Sequence, residues 1–554
     1  MSILNESCSL KDNNLRGKRR INETNQKLSI NIFQTNDQQY GQTSTELNAQ
    51  FFHSQILMDI LLRMTKKIDD KNDLIALCKK ELNNNKDELN ILYEFTETYS
   101  SDKALWWYTR ETFIYQFLNQ ALRLQDIDLL FLFRFFIYDI QKQLELNQCQ
   151  ESIRVYRGQL MSNNELNILK HSIGQFISTN SFLSTSVEME EALSFLDYSI
   201  IQDNLQPVLI IIDANPNIKG IKPFANIAKH SYFTDELEVL FTLGSVFQIN
   251  NVSYNKNNCL WIINMILCSD YNHKLKPIFD YMKNEYGDGE TGLLSFGRVL
   301  RQMGKFNEAE KYYRKFLNQQ QQHDYQSQAQ CYHLLGNIAL DKGNYDLSLE
   351  YHLKSLEIKM EQLESNDPSL AYSYNSIGII HWKKGNKEQA IESYNKALQI
   401  WVKLYGEDDL KVAMCFNNMG IVYDDEKKYQ DALRCYEKTL IIRLKHLPSG
   451  HFDIGDTYNN IGAVHRCLGH YDIALDYFNR SLEIYEKSLF FQHPSIASTY
   501  KNIGITYEIK KNFNEALEFY NKAANIFQQT LPIKHPDVIE IDRLIRHVSS
   551  QTNT

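Results

Sequence analysis

Two glutamates separated by one leucine, Glu236 and Glu238 in SYFTDELEVLF, hold two carboxylates close enough for shared chemistry if the segment is extended. Residues i and i+2 diverge on a helix but share a face on a strand, and this stretch alternates as strands do. On that reading Leu237, Val239, Phe241 and Leu243 form one buried face and both acids lie on the other. Paired carboxylates repel each other, a cost that a cationic substrate would offset, so a cleft is expected beside them. Two earlier stretches also bear chemistry: VYRGQL presents Arg157 followed by Gly158, and FLSTS presents Ser184, Thr185 and Ser186 at a strand end. Singly, each has an ordinary explanation as a surface charge, a strand end or a solvent-facing acid.

Their order changes the reading. Arg157, then Ser-Thr-Ser, then Glu-x-Glu, with YRG, F-x-S-T-S and E-x-E-V-L as flanks, resembles the R-S-EXE signature of the arginine-specific mono-ADP-ribosyltransferases. The resemblance spans about residues 50 to 270 and implies that family's fold, a helical lobe plus a small two-sheet β core. It implies NAD+, or NADP+, as co-substrate, with no metal and no further cofactor. Breaking the nicotinamide–ribose bond builds positive charge on the sugar, which a fixed carboxylate stabilises as in glycoside hydrolysis. By the resemblance, Glu238 holds a ribose hydroxyl and carries that role, and Arg157 grips the NAD phosphates with its fork of donors. The main chain of Gly158 meets the carboxamide, Ser184 orients Glu238, and Thr185 and Ser186 support the strand end in the cofactor pocket. Glu236, in place of the glutamine of asparagine-modifying members, implies a guanidinium acceptor, which it would orient and polarise. Tyr232 and Phe233, in the loop before it, would stack on that acceptor.

The elements that must position these residues follow from periodicity. Residues 1–46 are rich in Asn, Gln, Ser and Thr and are expected to be a disordered polar tail. Residues 47–150 place apolar side chains three and four apart, predicting a helical lobe; WWYTRETFIY within it is expected to pack that lobe against the sheet. Short β-branched and aromatic runs over 151–270 predict a β-rich, NAD-binding lobe, followed by a linker at 271–289.

Beyond residue 290 a strict repeat begins. Gly336, Gly378, Gly420, Gly462 and Gly504 stand 42 residues apart. Ser348, Ala390, Ala432, Ala474 and Ala516 keep the same step, as do His352, Tyr394, Tyr436, Phe478 and Tyr520. Small residues at a close crossing with a ring beside them predict one antiparallel helical hairpin per unit. Asp367, Asp409, His451, His493 and His535 recur between units, with proline after three of them, and are expected to restart the helices rather than to bind metal. These units resemble tetratricopeptide repeats of the kinesin light chain type. Six repeats with a capping helix are expected over 290–548, the first beginning near Gly297, before a short tail at 549–554. The whole is then multidomain, α+β followed by an all-α solenoid whose groove takes a peptide or protein.

Composition narrows the class. A net charge of −9 over 554 residues argues against a bulk grip on nucleic acid. The most apolar stretch, DIDLLFLFRFFIYDI, is interrupted by Asp128 and Arg134 and is too short to span a bilayer. Nine cysteines form no CxxC pair, and the N-terminus lacks a secretory pattern, so a cytoplasmic protein with reduced thiols is expected. The expected activity is transfer of ADP-ribose from NAD+ to arginine in a protein substrate recruited by the repeats. Its alternatives are an NAD glycohydrolase, or a repeat scaffold carrying an inactive remnant.

Overall fold

A computed structural model describes residues 30–33, 44–64, 70–82, 85–196, 204–269, 272, 275–276, 280, 286, 289–319, 324–488, 494–530 and 535–552. Two compact units divide between Glu308 and Ala309.

In the first unit, helices α1 (Ser44–Arg63), α2 (Asp70–Glu81), α3 (Lys86–Thr98), α4 (Ala104–Thr109), α5 (Phe113–Leu124) and α6 (Ile127–Leu146) form the expected helical lobe. The sequence of α6 explains its place. Asp126 caps it by accepting from the amides of Asp128 and Leu129, and most of the apolar residues along it are buried. Arg134, the charge that interrupts its apolar run, is itself buried and is paired with Asp70 of α2. A buried guanidinium is tolerated only with such a partner. Among the described residues no helix is long and apolar enough to cross a membrane.

The strands are β1 (Ile30–Phe33), β2 (Ile153–Ser162), β3 (Phe176–Thr179), β4 (Leu183–Ser186), β5 (Leu205–Ala214), β6 (Phe224–Asn226), β7 (Glu238–Phe241), β8 (Val246–Asn255) and β9 (Leu260–Leu267). Two short helices, α7 (Asn163–Lys170) and α8 (Met189–Ser194), interrupt them. A capping box starts α7, with Ser162 and Glu165 bonding each other's amides. The sheet runs β1-β3-β8-β9-β5-β2-β4-β7-β6. Two sheets were the expectation, and the difference is a seam. The strands β2 and β5 pair along ten residues, from Ile153↔Ala214 to Ser162↔Leu205, whereas β2 and β4 share a single pair, Tyr156↔Ser186. Two half-sheets are thus joined at one point. Their common core includes Val155, Ile210, Ile212, Val239, Phe241 and Phe247.

One segment departs from expectation at each end. Ile30–Phe33, placed in the polar tail by composition, forms β1 and covers the edge of β3, with Ile32 buried. Four residues are too few to register as a period, and an edge strand gains its stability from its partner. At the other end, helix α21 (Pro536–Thr552) continues into the expected tail.

The first repeat helix, α9 (Leu293–Gln302), belongs to the first unit by its packing. Thr291, just before it, donates to the carbonyl of Ile60 in α1 at 2.8 Å, and the Phe296 ring lies 5.7 Å from that of Phe131 in α6. The compact division therefore falls later than residue 290, within α10 (Phe306–Gln319).

The second unit continues as hairpins α11/α12 (Tyr325–Asp341, Tyr345–Gln362), α13/α14 (Pro368–Lys383, Lys387–Tyr405), α15/α16 (Leu410–Asp425, Tyr429–His446), α17/α18 (Phe452–Cys467, Tyr471–Ser488) and α19/α20 (Pro494–Ile509, Phe513–Thr530), closed by α21. The three columns meet inside each hairpin. A Cβ on Gly378, Gly420, Gly462 or Gly504 would lie 2.6 to 2.8 Å from the ring of Tyr394, Tyr436, Phe478 or Tyr520, and one on Gly336 only 2.4 Å from His352. No side chain fits between that ring and the facing helix. The periodic residues between units are helix caps. Asp367 and Asp409 accept from the amides of Ser369 and Lys411 at 2.8 Å, and His451 and His535 do the same through Nδ1 at 3.3 and 3.2 Å. His493 lies outside the described residues.

Candidate active site

The seam between β2 and β4 opens a pocket because two strands that meet at one pair must splay apart on either side of it. Antiparallel register decides what faces it. Ser186 stands opposite Glu238, and Ser184 opposite Leu240, so Ser184 is one step further along the face. The pocket is lined by Arg157, Gly158, Ser184, Thr185, Ser186, Glu236 and Glu238, residues from three separate stretches of sequence.

Arg157 spans the seam. Its Nη1 donates to the carbonyl of Ser184 at 2.8 Å, and its Nε to Gln159 Oε1 at 3.1 Å. Gly158 is required by packing rather than by open space, since a Cβ there would sit 2.1 Å from the carbonyl oxygen of Ala192 in α8. The hydroxyl of Thr185 is buried and donates to Val239 O at 2.8 Å, which ties β4 to β7. Ser186 donates to Glu191 Oε2 at 2.6 Å and accepts from the amide of Glu188 at 3.0 Å, turning the chain into α8.

The two glutamates reach the pocket by a different route from the expected one. Only Glu238 lies in β7, where it is 4 % exposed. Glu236 sits in the turn before the strand, its amide 3.4 Å from the carbonyl of Phe233, and Leu237 is 41 % exposed instead of buried. The strand, flanked by β4 and β6, is buried on both faces, so alternation does not describe it. A turn, not a shared pleat, brings the carboxylates together.

Tyr232 and Phe233 are not among the pocket's lining residues. The Tyr232 ring lies edge-on to Trp106 at 5.4 Å, and its amide bonds Thr109 of α4. Trp106 and Thr109 of α4 thus pack against this loop.

Sequence reasoning missed Tyr156, Glu191, Ala192 and Phe195, which complete the lining. Tyr156 was within reach, as the neighbour of Arg157 in an alternating strand. The other three belong to α8 or follow it, and a six-residue helix is too short to show a helical period. Glu191 adds a third carboxylate beside a single guanidinium, so the lining suits a cationic guest. Among the described residues no group of three or more His, Cys, Asp or Glu gathers as a metal site.

A family model described as ADP-ribosyltransferase exoenzyme matches residues 71–270, spanning the pocket, and one described as tetratricopeptide repeat matches residues 290–361, 327–401, 369–445 and 453–529. The chain joins an ADP-ribosyltransferase domain to tetratricopeptide repeats. Such transferases use NAD+ as co-substrate. No curated protein matches the chain. Similar solved structures include BtubC (BKLC) from P. vanneervenii, 22 % identical over 39 % of this chain and 84 % of that one, with a TM-score of 0.33. Another is of nearly identical kinesin light chain TPR-like repeats from Podosopora anserina, 18 % identical over 38 % of this chain and 100 % of that one, also with a TM-score of 0.33.

Proposed function

We propose that the ADP-ribosyltransferase domain modifies arginine, using NAD+ to form N-ADP-ribosyl-arginine and nicotinamide, and that the repeats recruit the protein substrate. The observation that carries this reading is the convergence of Glu236, Glu238 and Arg157 on one pocket.

Arg157 has Nε and Nη1 engaged at the seam, which leaves Nη2 for a phosphate oxygen of NAD+. Glu238, fixed in β7, stabilises the positive charge that grows on the ribose as the bond to nicotinamide breaks. Nicotinamide leaves with the bonding electrons. A guanidinium nitrogen then bonds to the ribose carbon and gives up one proton, which Glu236 accepts and passes to solvent. A high pKa makes guanidinium a weak nucleophile without such help.

Incubation of the protein with labelled NAD+ and agmatine tests the reading. ADP-ribosyl-agmatine is expected from the wild type. Glu236→Gln is expected to lose transfer but still release nicotinamide to water, and Glu238→Gln to lose both by about 100-fold or more. Free ADP-ribose formed at a rate that agmatine does not alter would establish a glycohydrolase instead. No binding of NAD+ at all would leave a scaffold.

A further inference from the structure

The loop that carries Glu236 is held from outside the pocket. It leaves β6 and returns to β7, and its base is closed by the amide of Ile227, which donates to Glu238 O at 2.9 Å. Between those ends His230 and Tyr232 fasten it to the helical lobe. His230 Nε2 lies 3.0 Å from Asn147 Oδ1, and the amide of Tyr232 donates to Thr109 Oγ1 at 2.8 Å.

Thr109 is built for this contact. It is 1 % exposed, and its hydroxyl hydrogen is directed back to the carbonyl of Leu105 at 2.9 Å, leaving an oxygen lone pair for the loop. Arg110 reinforces it. Its guanidinium lies 5.1 Å from the rings of both Trp106 and Trp107 and 5.7 Å from Tyr232, and it is held in turn by Glu94 at 2.8 Å. The Tyr232 ring is thereby engaged on the protein's own cation.

We propose that Thr109, with Arg110, is a positioning clamp that fixes the loop so that Glu236 serves the acceptor, and that it sets the partition between transfer and hydrolysis. This rests on the proposed transferase reading. Glu238 is held independently, by the pairing of β7 with β4, so releasing the loop disturbs the acceptor's carboxylate and spares that of the ribose.

Thr109→Val removes the hydroxyl with little change of shape, and Thr109→Ser keeps it. In the full chain, Thr109→Val is expected to raise trypsin cleavage after Lys229 and to lower the ratio of ADP-ribosyl-agmatine to free ADP-ribose, each about tenfold for one lost hydrogen bond. The KM for NAD+ should not move, and Thr109→Ser should restore both values. Arg110→Gln, which leaves the buried threonine intact, should shift both in the same direction by roughly threefold. Unchanged cleavage in Thr109→Val and Arg110→Gln would overturn the clamp, and so would faster cleavage with an unchanged product ratio. A wild type that makes no agmatine adduct would defeat the transferase reading instead, and cleavage at Lys229 would still decide whether the clamp exists.

Discussion

Arg157 donates through Nη1 to the main-chain oxygen of Ser184, 2.8 Å away, across the seam where β2 and β4 share only the pair Tyr156↔Ser186. The bond replaces the ladder hydrogen bonds that the splayed strands cannot make. One side chain thus holds the pocket's two walls while facing its interior.

Arg157→Lys keeps the charge but loses the fork, so donors on one nitrogen must replace separate nitrogens that reach Gln159, the Ser184 carbonyl and the ligand. Affinity for NAD+ is expected to fall by roughly 10- to 100-fold, the worth of one or two charged hydrogen bonds, as measured by titration calorimetry. Undiminished affinity would show that the arginine serves the seam alone.

Gly158→Ala tests why a glycine follows that arginine. The new Cβ would meet the Ala192 carbonyl at 2.1 Å, and a main-chain atom of α8 cannot swing aside as a flexible side chain can. A loss of about 1–3 kcal/mol is expected in the urea unfolding of the first unit. Because α8 also carries Glu191 and Ala192 into the pocket lining, NAD+ turnover should fall with it.

Cysteine reactivity should follow burial. Burial pushes the thiols of Cys78, Cys331 and Cys415 up to about 12, whereas Cys259 and Cys467 are exposed. A thiol with a pKa near 12 is only about one part in ten thousand thiolate at pH 8, and the thiolate is the nucleophile. Brief maleimide treatment near that pH, read by peptide mapping, should modify Cys259 and Cys467 and spare the buried three until the chain is unfolded.

The repeats should lose stability in mild acid. Burial, with His470 Nδ1 only 3.2 Å away, holds the His465 pKa below its ordinary value, and burial acts likewise on His381, aided by Lys384. A histidine whose folded pKa is depressed favours the neutral form. Its contribution is complete above the unfolded value of about 6.5 and is lost as pH falls through the lower folded value. The melting transition of the repeats should therefore drop from neutral pH to about pH 5, and by less in a His381→Gln/His465→Gln double variant.

The repeats were legible in the sequence because their decisive contacts are local. Gly420 and Tyr436 belong to one hairpin, the same relation recurs in each unit, and a packing rule repeated every 42 residues is written in the chain itself. The chemical groups of the site were legible as residue types in order: an arginine with a glycine after it, a serine-rich strand end, and two glutamates. Their arrangement was not. The pairing of Tyr156 with Ser186, the bond from Arg157 to the Ser184 carbonyl and the hold of Thr109 on Tyr232 join residues far apart in sequence, and a strand carries no local record of which partner it will meet. Alternation suggested that Glu236 and Glu238 share a pleat, but burial of β7 on both faces removes the polar side that alternation presumes, and a turn supplies Glu236 instead. The order of residue types along the chain specifies which groups the pocket contains and how the repeats close on themselves. Where the sheet parts, which neighbours such as Glu191 join the lining, and what holds the loop carrying Glu236 depend instead on long-range contacts, which form only when the whole domain folds.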